Sequence, residues 1–324
     1  MSAVNPPLLE IENLAAWFPV HKGLLGRIGG YVKAVDGVSL RLNRRETLGL
    51  VGESGCGKTT LGRTIVGLEP AHTGRVLFEG KDLLGMPEAE RRRTCRHVQM
   101  VFQDPYSSLN PRMTVLDILT EALAEHGMLA GPREAEAERL LAEVGMGPEA
   151  LHRYPFEFSG GQRQRINLAR AVSLRPALLI CDEPVSSLDV SVQAQVINLL
   201  MDLREKHELA YLFISHDLGV VKHLSDRIAV MYLGRIVELG PTEAVMEHPQ
   251  HPYTQALLSA VLVPGRPRGQ RIILPGDLPS PMNPPPGCPF HTRCPKVMDI
   301  CRREYPSARP ASGSAVNCHL YPEG

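Results

Sequence analysis

The octet Gly52-Glu53-Ser54-Gly55-Cys56-Gly57-Lys58-Thr59 has the form G-x4-G-K-S/T, a pattern suited to gripping a polyphosphate. Its glycines let backbone N–H groups converge on phosphate oxygens with no Cβ in the way. A helix following Lys58 would add its positive N-terminal end. Lys58 suits the β- and γ-phosphates, and the Thr59 hydroxyl suits Mg²⁺, with Thr60 next to it in the same turn. Farther along, Leu178-Leu179-Ile180-Cys181-Asp182-Glu183 is an apolar run ending in two acids. Adjacent carboxylates at a strand end are costly unless each manages a cation or a proton. Successive strand side chains point to opposite faces, so the two acids should have separate roles. Asp182 is the candidate for the Mg²⁺ shell, and Glu183 for the general base that orients and polarises an attacking water. Together the two motifs predict an enzyme that holds and hydrolyses Mg-ATP.

Three further features are weaker singly. Ser159-Gly160-Gly161-Gln162 opens onto an apolar-periodic stretch carrying Ile166, Ala169 and Val172. Free N–H groups plus a hydroxyl at a helix start make an anion site, although the same residues also make an ordinary helix cap. Gln103 follows the apolar pair Val101-Phe102 and offers an amide able to contact both Mg²⁺ and water. His216 follows the apolar run 212–215, at the C-terminal end of a strand where α/β proteins bind ligands.

These residues need a scaffold. The alternating run Leu9-Glu10-Ile11-Glu12 predicts a strand within 8–18, a hairpin loop is expected over 21–33, and a second strand over 34–42. Short apolar runs at 47–51, 177–181 and 212–215 read as buried parallel strands, and 228–232 with 235–238 as a closing antiparallel pair. Between 105 and 153 the composition turns to Ala, Glu and Leu at helical spacing, as in 134–144, which predicts a helical subdomain (about 105–175) inserted in an α/β core. Prolines crowd in beyond Pro264, marking 1–262 as the main domain and 263–324 as an extended tail. Lys+Arg and Asp+Glu are each 35, so the balance gives no electrostatic footprint for DNA or RNA. The first twelve residues carry Glu10 and Glu12 where a signal peptide would be apolar, and no stretch approaches the roughly 18 apolar residues of a membrane span. A cytosolic chain is expected, with any membrane role exerted through a partner.

The ordered series 52–59, Gln103, 159–162, Asp182-Glu183, Ser187-Leu188-Asp189 and His216 resembles the nucleotide-binding subunits of ABC transporters over about residues 8–250. That resemblance implies a RecA-like P-loop NTPase core with an antiparallel β subdomain. It also implies two such subunits sandwiching two ATPs, each between one chain's phosphate loop and the partner's Ser159–Gln162-type signature. In that scheme Gln103 senses the γ-phosphate and reports to membrane subunits, His216 is the γ-phosphate switch, and Asp189 helps couple the two sites. Phe18 aligns with the aromatic that stacks on adenine, with Trp17 as its neighbour. Phe158 stands where the signature usually has Leu, a change from one apolar residue to another.

Within the family, the phrases 101–111 and 154–161, the ending His251-Pro252-Tyr253-Thr254 and the Pro-rich tail are similar to oligopeptide and dipeptide importer ATPases. Some related subunits serve nickel uptake. The resemblance implies a second, different ATPase subunit, two integral membrane permeases, an extracytoplasmic substrate-binding protein and a peripheral seat on the cytoplasmic face of the membrane. A soluble ABC ATPase of translation or repair would be expected to carry two cassettes or a long coiled coil, and neither is legible here. Cys288, Cys294, Cys301 and Cys318 are spaced C-x5-C-x6-C-x16-C. Four thiols in a short tail suit a metal-dependent fold, either a 4Fe–4S cluster, which some members of the group carry there, or Zn²⁺ with His291 and His319 as spare ligands. Unliganded thiols remain the alternative. Such a tail could also make the ATPase redox- or metal-responsive.

Overall fold

Alternation at the N-terminus does produce a strand, and a longer one than expected. In the computed structural model, which describes residues 6–22, 27–260 and 272–321, β1 runs over Leu9–Lys22 and β2 over Arg27–Leu42. The loop expected over 21–33 is therefore mostly strand; its centre, 23–26, lies outside the described residues. Leu9 and Ile11 are buried, while Glu10 and Glu12 meet Arg41 and Arg75 of the flanking strands at 2.6 Å. One face packs and the other is laced by cross-strand ion pairs.

By its contacts the chain divides into two units, 1–42 with 47–84 and 214–324, and 43–46 with 85–213. The first begins with β1 and β2, continues through β3 (Thr47–Val51) and α1 (Lys58–Ile65), and returns through β4 (Thr73–Phe78) and the short β5 (Lys81–Asp82). An antiparallel sheet forms in the order β2-β1-β4-β5. Every residue of β3 is buried, as a strand covered on both faces requires.

In the second unit α2 (Glu88–Cys95) leads to β6 (Val98–Val101). The chain is then helical, through α3 (Val115–Glu125), α4 (Arg133–Glu143) and α5 (Gly160–Ser173), before β7 (Leu178–Asp182), α6 (Val190–His207) and β8 (Ala210–Ile214). β6 and β7 pair in parallel, Val98 opposite Leu178 and Val101 opposite Cys181. Caps fix the helix starts: the side chain of Thr114 accepts from Asp117 N, that of Ser159 from Gln162 N, and that of Asp189 from Val192 N.

The chain completes the first unit with α7 (Leu218–Leu224), β9 (Arg227–Tyr232), β10 (Arg235–Pro241), α8 (Thr242–Glu247), α9 (Pro252–Ser259), β11 (Ala308–Ala311) and β12 (Ser314–Asn317). β3 and β9 are parallel, β9 and β10 antiparallel, and β12 adds to β10 through Glu238 opposite Val316. The tail thus contributes strands to the sheet that carries the phosphate loop. The boundary drawn at 262/263 falls outside the described residues.

Candidate functional site

β3 delivers the phosphate loop. Gly57, the N-cap of α1, has φ 107°, and a Cβ there would lie 1.9 Å from the carbonyl oxygen of Ala34, so only glycine fits. Gly55 also sits in the left-handed region, at φ 78°. The loop is closed by Cys56 N donating to Glu53 O at 3.2 Å and by Gly234 N donating to Cys56 O at 2.8 Å. Lys58 is buried, and its ammonium donates to the carbonyls of Gly52 and Glu53 at 2.9 and 3.1 Å. The charge is thus held against the loop itself. Cys56 is buried and its thiol is pushed up by that burial, with Lys58 opposing the shift, so it packs as an apolar residue. Ser54 and Gly55 are exposed, and Thr59 and Thr60 are half-buried.

The same unit holds two other expected residues. Exposed His216 follows Ser215, whose N–H donates to Leu50 O at 3.2 Å, so its turn is tied to β3 two residues before the loop begins. Asp217 caps α7 directly after it, through Gly219 N and Val220 N. On β1, Trp17 is stacked on His72 at 4.3 Å with the Lys33 ammonium 4.5 Å from its centroid. Phe18, the next residue, points to the opposite face of the strand and is half-buried. Trp17 therefore has a packing role already.

In the second unit Asp182 ends the fully buried β7 and is only 1 % exposed. Glu183 follows at φ 45°, a strained backbone for a residue with a Cβ. Gln103 Nε2 donates to Glu183 Oε2 at 2.8 Å, joining two residues 80 positions apart. The loop after Gln103 is moored to α5, where Arg170 donates to Ser108 O at 2.6 Å, Asn167 to Ser108 Oγ at 2.7 Å, and the Arg163 guanidinium lies 3.6 Å from the Tyr106 ring centroid. No sequence signal paired Ser108 with Asn167 or Arg170, because they lie some 60 residues apart.

Ser159 and Gln162 form a reciprocal cap, with Gln162 N donating to Ser159 Oγ at 3.3 Å and Ser159 N to Gln162 Oε1 at 3.0 Å. A Cβ on Gly161 would meet Val192 Cγ1 at 2.3 Å, so this glycine lets α5 approach α6 closely. Phe158 is buried, with the Arg153 guanidinium over its ring at 4.4 Å, and it packs the start of the helix as Leu would. Asp189 caps α6; its bonds from Val192 N and Ser191 hold its carboxyl below the usual range.

In the tail Cys288, Cys301 and Cys318 are buried and Cys294 is half-buried. Burial pushes Cys288 up to about 12, and Cys301, Cys318 and Cys294 add to the shift. His291 and His319 rest their rings on the carbonyls of Cys288 and Glu304, each at 2.9 Å. Among the described residues, no group of three or more His, Cys, Asp or Glu stands as a ligand set for a metal ion. The iron–sulfur or zinc expectation thus has the donor chemistry but not the geometry.

The chain matches the family described as ABC transporter over residues 35–186, and that described as oligopeptide/dipeptide transporter, C-terminal region, over residues 237–301. The oligopeptide transport ATP-binding protein AppF of Bacillus subtilis is 52 % identical over 328 residues, spanning 99 % of this chain and all of the relative. OppF of Salmonella typhimurium, also an oligopeptide transport ATP-binding protein, is 50 % identical over 318 residues, spanning 96 % of this chain and 95 % of that one. The fold is shared with the dimeric structure of MJ0796, a bacterial ABC transporter cassette, at a TM-score of 0.64 and 23 % identity, covering 72 % of this chain and 98 % of that chain.

Proposed function

Since the chain belongs to the ABC transporter family and, along its whole length, to the oligopeptide transport ATP-binding proteins, we propose that it hydrolyses ATP to drive the import of di- and oligopeptides. The phosphate loop supports the ATPase part of this reading: Gly57 packs where no other residue fits, and the Lys58 ammonium is held by two of the loop's own carbonyls.

Lys58 and Thr59 bind the β- and γ-phosphates, the N–H groups of residues 52–60 surround them, and Phe18 stacks on adenine. Asp182, Gln103 and Thr59 offer hard oxygen donors, the class Mg²⁺ prefers, and a carboxylate as buried as Asp182 is one that a cation would stabilise. When bound, Mg²⁺ neutralises phosphate charge. Glu183, oriented by the Gln103 amide, takes the proton of the attacking water, and His216 holds the γ-phosphate. Residues 159–162 present a helix N-terminus to the nucleotide of a second ATPase subunit, and Asp189 lies in the turn that relays between the sites. That second subunit is a different chain. The complex includes two membrane permeases and an extracytoplasmic substrate-binding protein. No helix among the described residues is long and apolar enough to cross a membrane; the seat proposed for the chain is peripheral, on the cytoplasmic side.

For the tail, the donor set Cys288, Cys294, Cys301 and Cys318 supports a cluster or Zn²⁺ only through its chemistry, and no step of the ATPase reaction passes through it. Affinity purification of the tagged chain from detergent-solubilised membranes tests the whole reading. A second ATPase and two membrane proteins should co-purify, with ATPase activity that rises on adding peptide-loaded binding protein. Recovery with ribosomes or repair factors alone would overturn the import assignment.

A further inference from the structure

Glu53 places an acid inside the loop that must accept a polyanion, and the tail answers it. The Glu53 carboxylate receives Arg293 Nη1 at 3.0 and 3.2 Å, across 240 residues, and its backbone N–H donates to the Tyr253 hydroxyl at 2.8 Å. Its carbonyl accepts from Lys58, so a single residue joins the tail to the phosphate-binding lysine. Arg293 is built in rather than draped over the surface. It is 9 % exposed, its N–H donates to Phe290 O at 2.9 Å, and its buried Nε has no hydrogen-bond partner. Phe290 sets its ring edge-on to Tyr232 at 5.2 Å and to Tyr253 at 5.5 Å, while Tyr232 and Tyr253 meet at 4.7 Å. Tyr253 is fully buried and belongs to α9, whose N-cap His251 has both its N–H and its ring held in place: Glu238 Oε2 accepts from His251 N at 2.8 Å and His251 Nδ1 accepts from Tyr253 N at 3.1 Å. Phe290, whose carbonyl accepts from Arg293 N, thus sits in a cluster of three aromatic rings.

We propose that Arg293 is a positioning residue for nucleotide binding, one that neutralises Glu53 and braces the phosphate loop from the C-terminal tail. Without the guanidinium, a half-buried carboxylate would sit unpaired beside the incoming phosphates. It would repel them and pull at Lys58, which the loop needs for its ligand. The tail is thereby part of the nucleotide site. The inference rests on reading residues 52–59 as the phosphate loop.

The test measures MgATP and MgADP affinities of the purified full chain by calorimetry. Arg293→Ala and the neutral donor Arg293→Gln should each weaken MgATP about tenfold, with a smaller loss for MgADP because it carries less charge. Glu53→Gln alone should tighten MgATP binding, because it removes the negative charge that faces the phosphates and leaves the Arg293 guanidinium beside them. Adding Glu53→Gln to either Arg293 variant should restore affinity to within about threefold of wild type, since the uncompensated charge is then gone. A merely structural arginine would give equal losses for both nucleotides and no rescue, and either result overturns the proposal, as does wild-type MgATP affinity in both Arg293 variants. Lys58→Ala serves as the reference. If it binds MgATP like wild type, the phosphate-loop reading itself fails; if it loses binding while the Arg293 variants do not, only the present inference fails.

Discussion

Replacing Glu183 by glutamine changes one atom group of a half-buried side chain and no volume. The variant keeps an oxygen able to accept from Gln103 Nε2, which lies 2.8 Å from the present carboxylate, so the local packing and the ATP affinity should be retained. What disappears is the carboxylate proposed as the base. Removing a positioned base costs about 10²–10⁴ in rate, which at 1.36 kcal/mol per decade is roughly 3–5 kcal/mol on the barrier. A companion variant separates chemistry from backbone strain. Glu183 sits at φ 45°, and glycine would relieve about 1–2 kcal/mol of left-handed cost while losing about 0.5–1 kcal/mol to chain entropy. Glu183→Gly should therefore melt at or slightly above the wild-type temperature and be equally inactive. The assay is phosphate release by the assembled transporter, with nucleotide binding and thermal melts on the same preparations. Turnover of Glu183→Gln within tenfold of wild type would remove Glu183 from its role, and parallel loss of ATP binding would recast the acid as a ligand rather than a base.

Gly57→Ala should reduce MgATP binding below detection and lower the melting temperature by several degrees. Its Cβ would fall 1.9 Å from Ala34 O at φ 107°, and strain of that kind costs about 1–3 kcal/mol; wild-type binding would show that the loop yields where its packing says it cannot. A pH effect is expected at Glu143, whose side chain is 4 % exposed among Lys206 at 3.2 Å, His207 at 2.8 Å and Arg139. Burial pushes this carboxyl up, but the hydrogen bonds from His207 and Lys206 with the surrounding positive charge outweigh it and hold it below the usual range. A carboxyl depressed in the folded state contributes stability above its unfolded value, about 4.3, and loses it as the pH falls through the folded value. The gap in melting temperature between wild type and Glu143→Gln should thus be full at pH 6 and shrink below about pH 4; a gap constant down to pH 3 would refute the network's electrostatic role.

Where the chemistry is local, the residues announce it on their own. The phosphate binding proposed for residues 52–59 would use the backbone N–H groups of one continuous turn, so their spacing suffices to suggest it. The 159–162 cap is likewise local, and one apolar run marks Asp182 at the end of β7, whereas Glu183 lies just beyond the strand in a left-handed turn that strand alternation does not describe. The closing pair β9–β10 was legible because Leu233-Gly234 lies between two apolar runs. The extent of β1 and β2 was not, because glycines and basic residues at 27–33 look like loop until pairing across the sheet fixes them as strand. Only the folded chain shows which distant side chains act together, as Gln103 does with Glu183 across 80 residues, Ser108 with Arg170 across 62, and Glu53 with Arg293 across 240. Side chains that meet only after the chain has returned leave no periodicity behind. Their partnership is set by which strands lie side by side and by the burial that makes an unpaired charge too costly to keep.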